Sequence, residues 1–165
     1  AEPAESFEFR GYTVTPLANF SIVARVLGTE RYHVDRESDL APVDFALGWG
    51  PMSDSSVLKR LTFGQFKRWY YYRTDKWPIT KKQIIAHSAN MHMIPSSSSI
   101  KRQLLNVVRG EIVSIEGQLV QVTASDGWSW KSSLSRKDGG ANSCEVVFVR
   151  YIEVLEVDDA MMEAP

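Results

Sequence analysis

The sequence has almost no cysteine and no long apolar run. Cys144 is the one cysteine among 165 residues, so no internal disulfide can form. No apolar stretch approaches the ~18 residues that a membrane-spanning helix requires. Residues 1–4, Ala-Glu-Pro-Ala, are typical of a mature start left after removal of a signal peptide or membrane anchor. We therefore expect a periplasmic or membrane-associated protein made from an exported or membrane-anchored precursor, and a cytoplasmic location also fits the composition.

The familiar catalytic and metal-binding motifs are absent as well. The chain has no Gly-x-Ser-x-Gly nucleophile elbow, no phosphate-cradling loop, and no His-Glu-x-x-His or Cys-x-x-Cys pattern. Gly139 and Gly140 are followed by Ala and Asn instead of the Lys-Ser/Thr of a phosphate loop, so this pair predicts a flexible turn. No pattern in the sequence predicts a cofactor or a bound metal.

What the sequence does have is an ordinary globular composition with many aromatic residues. Apolar residues make up 44% and charged residues 24%, as in a folded domain with a real core. Seven Phe, six Tyr and five Trp favour strands and large buried side chains. Residues 59–82 carry eight cations and a single acid, Asp75, whereas both termini are acidic. The basic stretch is either a solvated surface or a face for an anionic partner.

The last third of the chain predicts three antiparallel strands joined by two tight connections. Residues 111–123 alternate as a long strand, and Asp126-Gly127 is one of the strongest short hairpin signals. Residues 128–134 form the second strand and residues 144–155 the third, with a polar, Gly-rich loop between them. This pattern indicates a curled sheet that is part of a small barrel.

The apolar alternation changes parity at Gly117. Val113 and Ile115 share one face before this glycine, and Val120 and Val122 share the other face after it. A bulge at Gly117 would bring both pairs to one face and bend the strand sharply. Such a bend closes the long first strand of five-stranded OB-type barrels.

Further strands and two short helices complete the predicted fold. Strand patterns occupy residues 12–15, where Pro16 ends the strand, and residues 20–27, 43–47 and 66–73. One helix is capped by Ser53-Asp54, and the other carries the apolar stripe that begins at Ile100. We predict a mainly β (α+β) fold, a single, partly open, OB-like barrel over residues 10–157, with a flexible segment at 1–9 and a flexible acidic tail at 158–165.

Candidate binding residues lie in two polar loops. The loop 87–95 contains His87, Asn90 and His92, and the loop 136–144 contributes three more candidates, Arg136, Asp138 and Asn142. If both loops emerge at the same end of the barrel, their polar tips would form a pocket for a polar ligand or a small anion. Otherwise each loop is a solvated connection.

The histidine spacing does not favour a metal site. His87 and His92 are five residues apart, so they lie ~140° apart on a helix and on opposite faces of a strand. The two rings are structural loop histidines with satisfied hydrogen bonds, ligand contacts, or an acid–base group. Cys144 heads an apolar strand, where a lone cysteine is a small buried residue more often than a nucleophile.

Five segments in one order resemble a family of uncharacterised bacterial proteins. They are Gly48-Trp-Gly-Pro-Met-Ser-Asp54, residues 66–72, His87-Ser-Ala-Asn-Met-His-Met-Ile-Pro95, residues 110–120, and residues 135–145 with Gly-Gly-Ala-Asn-Ser-Cys-Glu. The resemblance covers about residues 45–155. It implies export or membrane anchoring for some members and no assigned activity, and it transfers no catalytic residue.

We expect a non-catalytic module that binds a small polar ligand or a protein partner in the cell envelope. Its binding surface would be built from the two polar loops, 87–95 and 136–144. Barrels often present a site in this way, as polar loop tips on rigid anchors.

Two other functions are kept as alternatives. The first is a hydrolase or transferase that uses His87 or His92 with Asp138 or Cys144. The second is a single-stranded nucleic-acid-binding protein that uses the aromatic, basic residues 66–77. A continuous basic groove beside exposed aromatic rings of this stretch would favour the second alternative, but the acidic termini make nucleic acid an unlikely partner.

Overall fold

The computed structural model describes residues 5–134 and 144–156, and nine strands form most of it. The strands are Phe7–Phe9 (β1), Tyr12–Arg31 (β2), Val43–Gly48 (β3), Thr62–Phe66 (β4), Trp69–Arg73 (β5), Ser88–Pro95 (β6), Ile112–Thr123 (β7), Ser129–Lys131 (β8) and Glu145–Leu155 (β9). The α-helices are Arg36–Leu40 (α1), Ser55–Leu58 (α2), Lys81–Ala86 (α3) and Ser98–Asn106 (α4), with a 3-10 helix at Gly50–Ser53.

Five of these strands close into a ring. The main sheet runs β1-β2-β3-β6-β9-β7-β8, and β7 also pairs with β2 along almost its whole length. The strands β2, β3, β6, β9 and β7 therefore form a continuous hydrogen-bonded circuit, in which β6 and β9 are parallel and the other neighbours antiparallel. The predicted mainly β class and the small, partly open barrel are confirmed.

The barrel has one apolar cluster inside and a second outside. Val113, Ile115 and Leu119 of β7 point into the interior cluster, whereas Val120 and Val122 belong to the outer cluster. The parity change of β7 therefore reflects burial on both faces of one continuous strand. The predicted bulge at Gly117, which was to bring both pairs to one face, is wrong.

Register slips lie in the two strands that flank β7. In β9 the pairing jumps from Tyr151 to Val149 opposite Glu116 and Gly117, so the extra residue is Arg150. In β2 the pairing jumps from Pro16 to Ala18, and this bulge lets the strand continue past the proline that the sequence predicts as its end.

The described residues form four α-helices, whereas the sequence predicts two. The predicted ones are α2, with Asp54 at its N-cap, and α4, which buries Ile100 and Leu104. The additional helices, α1 and α3, begin with reciprocal capping boxes, Asp35 with Ser38 and Thr80 with Gln83. Each is only five or six residues long, too short for a periodic apolar stripe to reveal it.

The predicted strand 66–73 is a hairpin instead. The strands β4 and β5 pair in register from Thr62↔Arg73 to Phe66↔Trp69, and Lys67 and Arg68 form the two-residue turn. This hairpin is a separate two-stranded sheet. Its inner face packs through Phe63, Tyr70 and Tyr72 on a third apolar cluster around Ile84.

Part of the N-terminal segment that the sequence predicts to be flexible forms a strand in the structure. Phe7–Phe9, within the segment expected to be flexible, pairs with β2. The rings of Phe7 and Phe9 each lie 5.1 Å from the Phe148 ring, and this burial fixes the segment. The predicted tail 158–165 lies outside the described residues. Within the described parts of the chain, no helix has the length and apolar character needed to cross a membrane.

Candidate functional site

A row of polar side chains interrupts the apolar outer face of the barrel. Along β6, Met91 and Met93 point into the interior cluster, so Asn90 and His92 point outward. Asp44 of β3 lies directly opposite His92 in the register. All three polar residues are buried, with at most 3% of their surface exposed, because the β4–β5 hairpin covers this part of the sheet.

The hairpin turn sends an arginine into this row. Lys67 and Arg68 have φ angles of 50° and 71°, a region that non-glycine residues rarely adopt and that a two-residue hairpin of this kind requires. The Arg68 side chain folds back toward the barrel, and its Nη1 donates a hydrogen bond to Asp44 Oδ1 at 2.7 Å. Strained turn residues persist only where the surroundings hold them in place.

Tyr32 contacts Arg68 through both its hydroxyl and its ring. The backbone N–H of Arg68 donates to the Tyr32 hydroxyl at 2.8 Å, and the guanidinium carbon lies 3.9 Å from the centre of the Tyr32 ring. Burial raises the pKa of Tyr32 to about 12, so the hydroxyl stays neutral. The arginine is thus held by a hydrogen bond, an ion pair and a cation–π contact.

Asn90 ties the hairpin to the barrel through its amide. Its Nδ2 donates to Asp44 Oδ2 and to the Arg68 carbonyl, each at 3.0 Å. Its Oδ1 accepts a hydrogen bond from Gln65 Nε2 at 3.0 Å. The amide is therefore satisfied on both sides, as a buried polar group must be, and its orientation is fixed.

His92 is the last residue of the polar row, and one of its ring nitrogens, Nδ1, has no hydrogen-bond partner among the described residues. Its Nδ1 lies 2.9 Å from Asp44 Oδ1, but the orientation does not make a hydrogen bond. The imidazole packs on Trp130 with the ring centres 5.0 Å apart. Among the described residues, His92 Nδ1 and Arg68 Nε are buried without a hydrogen-bond partner. Such atoms are uncommon in folded proteins and call for an explanation.

A groove of about 590 Å³ runs over this cluster. Arg68 and His92 line it together with Trp69, Trp130 and Cys144. The remaining lining residues are polar or charged: Asp35, Glu37, Ser129, Lys131, Ser132 and Ser133. We call this the central groove. It offers two indole rings, several hydroxyls and charges of both signs, which are the usual components of a polar-ligand site.

The Cys144 thiol is poorly suited to nucleophilic attack. Burial raises its pKa from the ordinary 9.0 to about 11, and the carboxylates of Asp44 and Glu145 add to the shift. Its Sγ contacts the Arg68 carbonyl at 3.9 Å. Because the thiolate is the reactive form, a cysteine nucleophile requires a lowered pKa.

The structure unites two of the six predicted site residues and separates a third. Asn90 and His92 join the polar row, although they lie on β6 and not in the predicted loop. His87 ends α3, where its Nδ1 lies 2.7 Å from the Gln83 carbonyl oxygen and its ring packs against Gly50.

The other three predicted residues, Arg136, Asp138 and Asn142, lie outside the described residues. The meeting of the two polar loops therefore stays a prediction, and so does a role for Asp138 as the acid of an enzyme.

The sequence reasoning missed Asp44, Arg68 and Trp130. Asp44 could have been noticed as the one charged residue in the strand Val43–Gly48, which is buried at every position. Arg68 carries no such signal, because a Lys-Arg pair lacks the Asn or Gly that marks a two-residue turn.

No protein-family model matches this chain, and no curated protein is similar to it. The resemblance to uncharacterised bacterial proteins therefore stays a prediction. Within residues 5–134 and 144–156, no three His, Cys, Asp or Glu side chains are grouped so that they could hold a metal ion.

Proposed function

We propose that this protein is a non-catalytic binding module and that the central groove takes a small polar ligand or a short segment of a protein partner. The observation that carries the proposal is the buried Asp44–Arg68 pair beside the partly unsatisfied His92. Each of these groups is unfavourable to bury, and together they lie directly beneath an open groove.

Fold stability alone is a weak explanation for this arrangement. Replacing a buried ion pair by well-packed apolar residues is often neutral or stabilising, and the chain already covers the neighbouring outer faces with apolar clusters. The positive φ of Arg68 adds strain. Unfavourable groups held rigidly at the edge of a groove are typical of a preorganised binding site.

The groove chemistry indicates the class of ligand. Trp69 and Trp130 offer apolar ring surfaces, while Lys131 and the Ser129 hydroxyl can donate hydrogen bonds. Asp35 and Glu37 add negative charge at the same groove. A ligand with one flat or apolar face and several polar groups fits this surface better than a simple anion would.

An acid–base enzyme is the second candidate, and one observation favours it. His92 Nδ1 lies 2.9 Å from Asp44 Oδ1, close enough for a carboxylate to orient a general base, although the orientation here does not make the hydrogen bond. However, Asp44 is also engaged by Arg68 and Asn90, and the Cys144 thiol is neutral. We therefore rank binding above hydrolysis or group transfer.

A ligand screen with matched variants tests the proposal. We would titrate amino acids, dipeptides, sugars and nucleotides against the protein and follow saturation-transfer NMR signals. The proposal expects at least one saturable hit that Lys131→Ala and Trp130→Phe weaken and that Lys76→Ala and Trp77→Phe leave unchanged. If no ligand binds more weakly to Lys131→Ala or Trp130→Phe, the proposal is contradicted. If the protein converts a bound ligand to product and His92→Gln abolishes this turnover, the enzyme is favoured.

We also propose a cell-envelope location, which rests on the sequence resemblance and the composition. Fractionation of a bacterial host that expresses the natural gene would test it. Recovery in the periplasmic or membrane fraction is expected, and recovery in the cytoplasm alone would contradict it.

A further inference from the structure

The outer face of the β4–β5 hairpin is an aromatic surface open to solvent. Strand alternation places Trp69 and Tyr71 on the face that points away from the barrel, and Phe66 lies opposite Trp69. The exposed fractions of Phe66, Trp69 and Tyr71 are 65%, 44% and 47%. Single exposed apolar residues are ordinary, but a contiguous group marks an interaction surface.

A positively charged cleft continues this face at the base of the hairpin. It has a volume of about 760 Å³, and its cations are Lys59, Arg60, Arg73 and Lys76, with one acid, Asp75. Arg73 connects the two surfaces, because its guanidinium lies 5.9 Å from the Tyr71 ring and it also lines the cleft. Lys67 adds a further cation at the tip of the hairpin, over the Phe66 ring.

We propose that this aromatic and basic surface docks the protein on an anionic lipid bilayer. Trp and Tyr favour the membrane–water interface, where their rings sit at the headgroup level and their polar groups stay hydrated. Phe adds an apolar ring that can insert beside them. Lysine and arginine near an anionic leaflet are attracted to its headgroups. The hairpin places both kinds of side chain on one surface, distinct from the central groove except at Trp69, which borders both.

The ring contacts favour a lipid surface over single-stranded nucleic acid. A basic groove beside exposed aromatic rings is also the pattern that predicts nucleic acid, because bases stack on free ring faces. Here the Tyr71 ring already lies against Gly64, whose added Cβ would meet Tyr71 Cζ at 2.2 Å, and Arg73 lies over the same ring. The Phe66 ring carries the Lys67 ammonium at 5.3 Å. The covered faces of the Tyr71 and Phe66 rings are therefore less available for stacking on bases. The exposed edges of both rings can still insert into a bilayer.

Vesicle co-sedimentation tests this inference on the whole protein. The probes are vesicles of phosphatidylcholine alone and vesicles with about 30 mol% phosphatidylglycerol, in about 0.1 M salt. We expect binding to the anionic vesicles only, with a blue shift of tryptophan fluorescence. Arg73→Glu/Lys76→Glu and, separately, Phe66→Ser/Tyr71→Ser should each weaken binding about tenfold or more.

Matched controls carry the same chemical changes elsewhere. Lys101→Glu/Arg102→Glu reverses two exposed charges on α4, and Tyr151→Ser removes an exposed aromatic ring from β9. Both should bind anionic vesicles like the unaltered protein, and thermal melts would show that all variants are folded.

Three results would overturn the inference. The first is no binding to anionic vesicles, and the second is equal loss in the controls. The third is tighter binding to an oligo-deoxythymidine probe than to vesicles, which would assign the surface to nucleic acid. None of these results bears on the central groove, so the proposed ligand binding can stand or fall independently.

Discussion

Arg68 Nη1 donates a hydrogen bond to Asp44 Oδ1 at 2.7 Å, across 24 residues of chain. The Asp44 side chain is fully buried, and the Arg68 side chain is 13% exposed. The pair joins the strained turn of the β4–β5 hairpin to β3 of the barrel. It therefore keeps the hairpin packed over the polar row. The same contact positions Arg68 at the central groove, which links the stability of the fold to the shape of the site.

Removing the charge of Asp44 should destabilise the protein strongly. Among the described residues, Asp44→Asn leaves Arg68 with only its longer ion pair to the half-exposed Asp35, at 3.5 Å, and breaking a buried pair from one side costs about 3–5 kcal/mol. Urea unfolding monitored by circular dichroism measures the change. The control is Asp126→Asn, which breaks an exposed pair with Arg36 of similar length, 2.8 Å, and should have a much smaller effect. Equal effects of the two variants would show that Asp44 and Arg68 are not a buried pair in solution.

Gly117 should not tolerate a side chain, because a neighbouring strand passes too close to it and not because of the bulge predicted from the sequence. A Cβ at this position would meet the Phe148 carbonyl oxygen at 1.9 Å, because β9 approaches closely where its register slips. Gly117→Ala should therefore destabilise by about 1–3 kcal/mol, as forced overpacking does. Ser114→Val, on the same strand, is the control. A melting temperature for Gly117→Ala that equals that of the unaltered protein would contradict the close approach.

Much of the barrel could be predicted because its signals are local. Asp126-Gly127 marks the β7–β8 hairpin, and Gly127 has the positive φ of 92° that the turn needs. The stripe of Ile100 and Leu104 marks α4. The burial of both faces of β7 could not be predicted, because alternation alone does not say whether an outward face meets water or a second apolar cluster.

The site was only half predictable. Asn90 and His92 stand out as polar residues in an apolar segment, and they do lie together. Their partners come from distant parts of the chain, Asp44 from β3 and Arg68 from a turn without turn residues. Such contacts depend on how the hairpin packs on the barrel, and no local pattern encodes this packing.

The Cys144 thiol should be unreactive near neutral pH. Burial raises its pKa from the ordinary 9.0 to about 11, so at pH 8 the thiolate fraction of the folded protein is roughly 100-fold below that of the unfolded chain. The rate of reaction with a disulfide reagent, measured in the native state and in denaturant, tests this. A native rate equal to the denatured rate would be inconsistent with the raised pKa.

The raised pKa of Cys144 also makes the free energy of unfolding depend on pH. The folded state holds the thiol proton more tightly than the unfolded state, so this contribution is fully present below about pH 9 and falls as the pH rises toward about 11. Because serine does not ionise in this range, Cys144→Ser should lose less stability than the unaltered protein between pH 9 and 11. Denaturant unfolding of both proteins at intervals across this range measures it.

Chelation should leave the fold intact. His87 and His92 occupy different surroundings, and among the described residues no three His, Cys, Asp or Glu side chains are grouped so that they could hold a metal ion. Dialysis against a chelator is expected to leave the far-UV spectrum and the melting temperature unchanged. A fall in melting temperature that zinc restores would reveal a structural metal.

The tryptophan indoles report directly on whether a ligand binds in the central groove. The five indole N–H signals of labelled protein can be assigned with single Trp→Phe variants and followed during titration with the ligand panel. We predict that the signals of Trp130 and Trp69, which line the central groove, shift with one saturating ligand while the Trp77 signal does not. Saturable shifts confined to Trp77 or Trp49, with Trp130 unmoved, would contradict the claim that the groove over Asp44, Arg68 and His92 is the binding site.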